Sequence, residues 1–379
     1  MRLRRGWRCS GIAWGATLCG LAAAAGGVAL AAPSQKTKKE DQTQTLQLPR
    51  ELPGAVEGDT RRLAFYVTPL SAKGLLSQQI RTAVKALERR AGSDTILKIR
   101  AFVAGPGDVR RVRDLVSDIF AERQHPLPSL SLIRSGGLPL EGAQVVLEAI
   151  ASSRKILNPH GLAFISGQAA VSANPLDPVE PLMAQSLESL RQAVHAAGAS
   201  AGDVVRVTCF VSSLANPVAW RGLVEREYPR AAVNYVQPQR APGRAMAACE
   251  AVARLSADPG PLRMVSAGGL GAQPGQSQIA LVGGGRVVLT GTQVSFGYDP
   301  ADARLAFERL RKELEQSGSS MRNVAFVHYY PLAQSIAAQI RTVRQDFFDA
   351  ERPPAGSMVL FEGLTSMDAG FAVDVVAVK

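Results

Sequence analysis

A pattern of strands and helices that recurs three times constrains the fold of this chain more than any other feature. Its clearest copy begins with an apolar strand that ends at Ile165-Ser166-Gly167-Gln168 and continues into a long amphipathic helix. A small-residue stop near Ala199, the strand Arg206–Val211, a second helix ending near Tyr228 and a closing strand containing Glu250 complete the copy. Repetition at this period indicates units that bury one another's apolar faces.

Each copy has the order strand, helix, strand, helix, strand. Two helices on one side of a largely antiparallel sheet predict an α+β fold. In the first copy, the sheet face with Val67, Ile99 and Val103 has no predicted helix to cover it, so we expect it to pack against the other copies. The three copies span residues 61–154, 155–256 and 279–379. A linker rich in Gly, Pro, Ala and Gln, residues 257–278, separates the last two.

Three short segments of the middle copy resemble the reactive-intermediate deaminase family (Rid, also called YjgF). They are the SGQ-like Ser166-Gly167-Gln168, the GAS-x-x-DVV-like run Gly198–Val205, and the EAxA-like Glu250-Ala251-Val252-Ala253. The resemblance implies chorismate-mutase-like domains, which in this family form homotrimers with a central sheet barrel, outer helices and small-molecule clefts between subunits. Three Rid-like copies in one chain therefore predict a single-chain pseudotrimer, monomeric in solution.

The resemblance also implies a catalytic site, which this sequence lacks at the matching positions. The family uses an arginine to hold the substrate carboxylate and a glutamate to position water. The arginine positions fall here at Leu130 or Ser131, at Val233, and at Gly356 or Ser357, and the glutamate positions fall at Val146, Ala248 and Ala372. A second family glutamate corresponds to Glu148, Glu250 and Asp374, which we interpret as structural. The sequence therefore predicts a member that is degenerate for imine and enamine hydrolysis.

Residues near the vacated positions are the candidates for binding a small-molecule ligand, and no cofactor is expected. These candidates are Ser166, Gly167, Tyr235, Arg240, Arg244 and Thr290, with Arg134 and Arg352 as further arginines. The alternative interpretation is that these residues have no ligand. The arginines would then be solvated loop residues, Tyr235 would be a core residue, and the hydroxyls of Ser166 and Thr290 would form hydrogen bonds within strands. An active enamine or imine deaminase that uses displaced residues stays open, as does a role in binding other proteins.

Spacing and charge exclude several other kinds of site. The four histidines have no ligand spacing with one another or with the cysteines, so no metal site is predicted. Cys209 and Cys249 lie in apolar strands and are predicted to be free buried thiols, with a disulfide as the alternative in an exported protein. The formal net charge is +11, but the basic residues lie along helices without interleaved aromatic residues, which argues against nucleic-acid binding.

The N-terminus resembles a secretory signal peptide over residues 1–31. Arginines precede an apolar run from Gly11 to Ala31, and Ala29-Leu30-Ala31 is the small-x-small pattern before a cleavage site. We expect cleavage after Ala31 or Ala32 and a periplasmic or secreted protein without membrane attachment. The alternative is an uncleaved anchor, because the run is long enough to span a bilayer. The polar segment 32–60 is predicted to be a flexible tether.

Overall fold

The computed structural model describes residues 50–105, 107–268, 270 and 275–379. The predicted signal peptide and most of the predicted tether lie outside these residues. The described residues belong to one compact unit. Among them, the helices are too short or too polar to cross a membrane.

The first sheet has four strands and carries two helices on one face. Its strand order is β2-β5-β3-β4, with β4 parallel to β3 and the other pairs antiparallel. The elements up to this point of the chain are β1 (Ala55–Asp59), β2 (Leu63–Val67), α1 (Leu76–Ala91), β3 (Thr95–Val103), α2 (Arg110–Glu122), β4 (Ser129–Arg134) and β5 (Val145–Ser152).

The second sheet has six strands in the order β10-β11-β6-β9-β7-β8. Its β10 lies inside the segment predicted as a linker, so that segment is partly ordered as a strand. Its β11 was predicted to begin the third copy, yet it pairs with β6 of the second, Ile279 opposite Ile165. The elements are β6 (Leu162–Ser172), α3 (Val179–Ala196), β7 (Val204–Val211), α4 (Pro217–Glu227), β8 (Ala232–Val236), β9 (Ala245–Arg254), β10 (Leu262–Val265) and β11 (Ile279–Val282).

The third sheet is completed by a strand from the other end of the chain. Its order is β1-β12-β16-β14-β15, with β13 also paired to β16. β1 lies in the predicted tether, and its Ala55 pairs with Thr290. Next to β1, the Thr60 hydroxyl donates to the Gly283 carbonyl at 2.7 Å. The remaining elements are β12 (Arg286–Thr290), β13 (Gln293–Phe296), α5 (Pro300–Gln316), β14 (Val324–Pro331), α6 (Gln334–Val343), β15 (Ala355–Met358) and β16 (Ala369–Val378).

The helices form where apolar residues recur on one side and local groups satisfy the ends. In α1, Ile80, Val84 and Leu87 are fully buried against the first sheet. At the start of α5, Pro300 occupies the first turn, and the Asp302 carboxylate accepts the backbone N–H of Asp299 at 3.0 Å. Each pair of helices covers one face of its own sheet.

The opposite faces of the three sheets pack against one another, but the predicted distribution of residues over the two faces is wrong for β3. Ile99 and Val103 lie under α1 and α2, whereas Lys98, Arg100 and Phe102 of the same strand face the other sheets. Only Val67 of the expected set lies in the shared core. Because β3 is buried on both faces, its apolar alternation marks the helix side and its polar residues mark the centre.

The α+β class is confirmed, but the described strands do not close into the central sheet barrel that the family resemblance implied. The described strands form three separate sheets, linked by isolated bridges such as Arg134 to Gly363. Between sheets, side-chain hydrogen bonds take the place of a continuous ladder of backbone hydrogen bonds. Between β6 and β15, the Ser166 hydroxyl accepts the backbone N–H of Gly356 at 2.9 Å, and the Ser357 hydroxyl accepts that of Gly167 at 3.0 Å.

Candidate functional site

Charged side chains at matching positions of the three sheets meet in the interior. The strand registers place Arg100 opposite Glu148, Thr208 opposite Glu250, and His328 opposite Asp374. We call the following buried set the central cluster: Lys98, Arg100, Glu148, Arg206, Glu250, His328 and Asp374.

Three of the six bonded pairs within the central cluster join different sheets. Arg100 binds Glu148 of its own sheet through Nε at 2.7 Å and Glu250 of the second sheet through Nη2 at 2.7 Å. Lys98 Nζ binds Asp374 of the third sheet at 2.7 Å, and His328 contacts Glu250 at 3.1 Å. Buried ions are retained when they are paired in this way, and the pairing ties the three sheets together.

The central charges hold the carboxylates in their ionised form. Burial alone would raise the pKa of Glu250, but the charges of Arg100, His328 and Arg206 outweigh burial and hold this pKa well below its ordinary value. The pKa of Asp374 is likewise held well below its ordinary value, because Lys98 and His328 outweigh burial. These acids are therefore acceptors in a fixed network and not proton donors at neutral pH.

Around the centre, three clefts are built in the same way. In each, the strand that follows the second helix of one sheet faces a strand of another sheet. The facing strands are β8 and β2, β15 and β6, and β4 and the β12–β13 region. We name them the Tyr235 cleft, the Arg244 cleft and the Arg113 cleft.

The Arg244 cleft has a volume of about 300 Å³ and mostly apolar walls. Val171, Met246, Met358 and Leu360 supply these walls, and Arg244 is the one charged residue among the described residues that line it. Arg244 itself is exposed, with no hydrogen bond or ion pair within the described part of the chain. An apolar pocket with one available guanidinium matches a small carboxylate with a hydrocarbon tail.

The Tyr235 cleft is larger, about 420 Å³, and more polar. Arg221 lies 5.3 Å from the centre of the Tyr235 ring and pairs with Glu225 at 3.2 Å. Arg90, also in this cleft, donates from Nη1 to the Val67 carbonyl at 2.5 Å. Burial and the nearby Glu225 raise the pKa of Tyr235, so its hydroxyl stays protonated. This cleft thus combines cations with a carboxylate.

The Arg113 cleft, of about 590 Å³, is lined by charges of both signs. Arg113 lies 3.7 Å from Glu51, and Glu313 lines the same cleft. The family arginine was predicted to fall here at Leu130 or Ser131. Leu130 is an uncharged wall residue of this cleft, as Val233 is of the Tyr235 cleft. Val146, Ala248 and Ala372, the positions predicted to match the water-positioning glutamate, are buried apolar residues.

The structure does not bring the six predicted binding residues into one site. Ser166 is buried, and its hydroxyl donates to the Ser277 carbonyl at 2.8 Å. The Thr290 hydroxyl is buried and accepts the backbone N–H of Val375 at 2.9 Å. Gly167 is bonded to β15 as described above, while Tyr235 and Arg244 line different clefts. Arg240 donates its backbone N–H to the Glu362 carboxylate at 2.9 Å, and Arg240 does not line the Arg244 cleft.

Two further arginines named from the sequence have local partners. Arg134 donates to the Gly105 carbonyl at 3.0 Å, and Arg352 lies 3.6 Å from Asp349. Cys209 and Cys249, opposite one another on β7 and β9, form a disulfide, so the prediction of free thiols is wrong. Within the described residues, no cluster of His, Cys, Asp and Glu has the arrangement of a metal site.

Comparison with known proteins finds a family likeness in the middle of the chain. Residues 152–257 match the family model described as Endoribonuclease L-PSP. The resemblance to the YjgF (Rid) family is confirmed. A comparison with curated proteins gave no match.

Solved structures of YjgF proteins align with parts of the chain. One from Neisseria meningitidis is 20% identical, with 31% of this chain and 94% of that chain covered and a TM-score of 0.24. A YjgF/YER057c/UK114 family member from Mycobacterium tuberculosis is 21% identical, with coverage of 31% and 99% and a TM-score of 0.23. TdcF from E. coli, solved with bound serine, is 23% identical, with coverage of 24% and 80% and a TM-score of 0.23.

Sequence reasoning missed the residues that make the interior of the protein charged. Lys98 and Arg100 interrupt the apolar run of β3, Arg206 lies within β7, and His328 within β14. The available signal for these buried charges was a charged residue in the middle of a strand, with apolar residues before and after it. Arg90 and Arg221 carried no comparable signal, because each lies among the many exposed arginines of helices.

Proposed function

We propose that this protein binds small carboxylates with an apolar tail in the Arg244 cleft and does not hydrolyse imines there. The observation that carries the proposal is the single unpaired guanidinium in a mostly apolar cleft whose described lining holds no other charged residue. The residues that line this cleft include no Asp, Glu or His, so it offers no general acid or base for hydrolysis. Glu148, Glu250 and Asp374 are paired inside the central cluster and do not line it.

Equilibrium binding tests this proposal with pairs of ligands that differ only in charge. We expect a set of 2-oxo and aryl-substituted monocarboxylates to bind, and their primary amides to bind roughly 10- to 100-fold more weakly, because a charge-assisted hydrogen bond contributes about 1.5–3 kcal/mol. Calorimetry or ligand-observed NMR measures both. Arg244→Gln should abolish the preference for the carboxylate.

Arg240→Gln is the matched control, because Arg240 is a neighbouring loop arginine whose side chain does not line the cleft. It should retain the affinity of the unaltered protein. Equal binding of carboxylates and amides, or equal loss in both variants, would show that Arg244 does not recognise the ligand.

We further propose that the three copies are domains of one pseudotrimer, exported after cleavage at Ala31 or Ala32. In support, the β2–β8, β6–β15 and β12–β4 contacts form a cycle, and β1 adds to the last sheet. Light scattering should give a mass near that of one chain, 40.1 kDa before cleavage. A mass three times larger would contradict the proposal, and N-terminal sequencing of the exported protein tests the cleavage position.

A second candidate function, deamination of enamines or imines, is favoured by the Tyr235 cleft. There Arg90 and Arg221 line the cleft and would hold an anionic substrate, and Glu225, released from its ion pair with Arg221, would position water. If this cleft is active, keto acid release from an imine generated in situ should fall roughly 10²–10⁴-fold in Glu225→Gln, the range for loss of general acid–base help. The same release rate with and without the unaltered protein would exclude this function.

A further inference from the structure

A small cavity lies inside the central cluster, separate from the three clefts. Its volume is about 20 Å³, which is room for a single guest the size of a water molecule. Its polar walls are Lys98, Arg100, Arg206, His328 and Glu148, and the rest is apolar, including Phe164. Four of the five polar walls are basic side chains.

Both ring nitrogens of His328 face carboxylate oxygens, an arrangement that a doubly protonated imidazole satisfies. Nδ1 lies 2.9 Å from an Asp374 oxygen, and Nε2 lies 3.1 Å from a Glu250 oxygen. A neutral imidazole has one N–H, so one of these contacts would set a nitrogen lone pair against a carboxylate oxygen. Two donors remove this repulsion. With His328 charged, the central cluster holds four cations and three carboxylates.

Some of the buried donors of the cavity walls also lack partners. Arg206 Nε and Arg100 Nη1 have no hydrogen-bond acceptor among the described residues, although the two residues are only 6% and 3% exposed. An unpaired donor on a buried cation is destabilising, as is a buried net charge. The one unpaired acceptor of the central cluster, Glu250 Oε2, belongs to a residue that does not line the cavity.

We propose that this cavity binds one monatomic anion of the halide class, which is chloride in ordinary salt. The anion accepts hydrogen bonds from the unpaired guanidinium nitrogens and balances the fourth positive charge. A water molecule would fill the same volume and accept the same bonds, but it would leave the net charge uncompensated. The ion is therefore a structural ligand that joins the three sheets at their common centre.

Bromide is the probe, because it replaces chloride and scatters X-rays anomalously. The full chain, unfolded and refolded in bromide so that the buried site can exchange, should show an anomalous peak in the cavity beside Arg206. At constant ionic strength, with gluconate replacing bromide, the folding equilibrium constant should rise up to tenfold for each tenfold increase in bromide, as expected for one site near saturation.

His328→Gln provides the control, because it removes the fourth cation and leaves the surface arginines unchanged. In this variant the anomalous peak should disappear and the logarithmic slope should fall by about one. If the variant does not fold, diffraction from the unaltered protein is the test, and a bromide peak in the cavity supports the proposal. Density in the cavity without anomalous signal identifies water and contradicts the proposal. The same dependence of the folding constant on bromide in both proteins also contradicts it.

Discussion

The central cluster and the outer clefts use the same residue types in opposite ways. Arg100 is 3% exposed and bonded to two carboxylates, whereas Arg244 is exposed and unpaired within the described residues. The acids at matching positions of the three sheets are all held in the centre. The difference shows that the buried charges are bonded to one another across the sheets, whereas the Arg244 guanidinium faces solvent.

Removing one central cation should have the largest effect. Arg100→Met leaves Glu148 and Glu250 buried without their main partner, which should lower the free energy of unfolding by about 3–5 kcal/mol. Urea denaturation at neutral pH measures the change.

Arg221→Met is the matched change in a cleft. Its ion pair with Glu225 and its contact with the Tyr235 ring are partly exposed, so we expect a loss of only about 0.5–1 kcal/mol. If the two variants lose equal stability, the central cluster does not hold the sheets together as argued above.

Lowering the pH should gradually reduce the free energy of unfolding that the central cluster contributes. The pKa values of Glu148, Glu250 and Asp374 are lowered in the folded state, so the unfolded chain binds protons more readily. The stability that they contribute is complete above their unfolded pKa values, about 4, and is lost as the pH falls toward the folded values. Each carboxylate adds at most about 1.4 kcal/mol per pH unit to this slope.

Urea denaturation at a series of pH values below 5 checks this expectation. In Asp374→Asn the slope should be smaller by up to one proton, because that position no longer titrates. Free energies of unfolding that do not change between pH 5 and pH 2 would contradict ionised, paired acids in the centre.

Much of the secondary structure could be read from the sequence, because its signals are local. The helix period of Ile80, Val84 and Leu87 predicts α1, and the small residues after Val194 predict the end of α3. The assignment of β3 to a half-buried strand was only half right, since both of its faces are buried. Alternation separates the two faces of a strand, but it does not say what covers each one.

Local patterns in the sequence were enough to predict the α+β class and the order of strands and helices along the chain. The tertiary structure alone shows that β1 completes the last sheet, that β11 joins the second, and that Cys209 meets Cys249. It also decided the partners of the central charges: Arg100 and Glu250 are 150 residues apart and belong to different sheets. Periodicity reports the neighbours of a residue along its own strand or helix. Which distant strands come together depends on how three covered sheets bury their remaining faces, and that is a property of the whole chain.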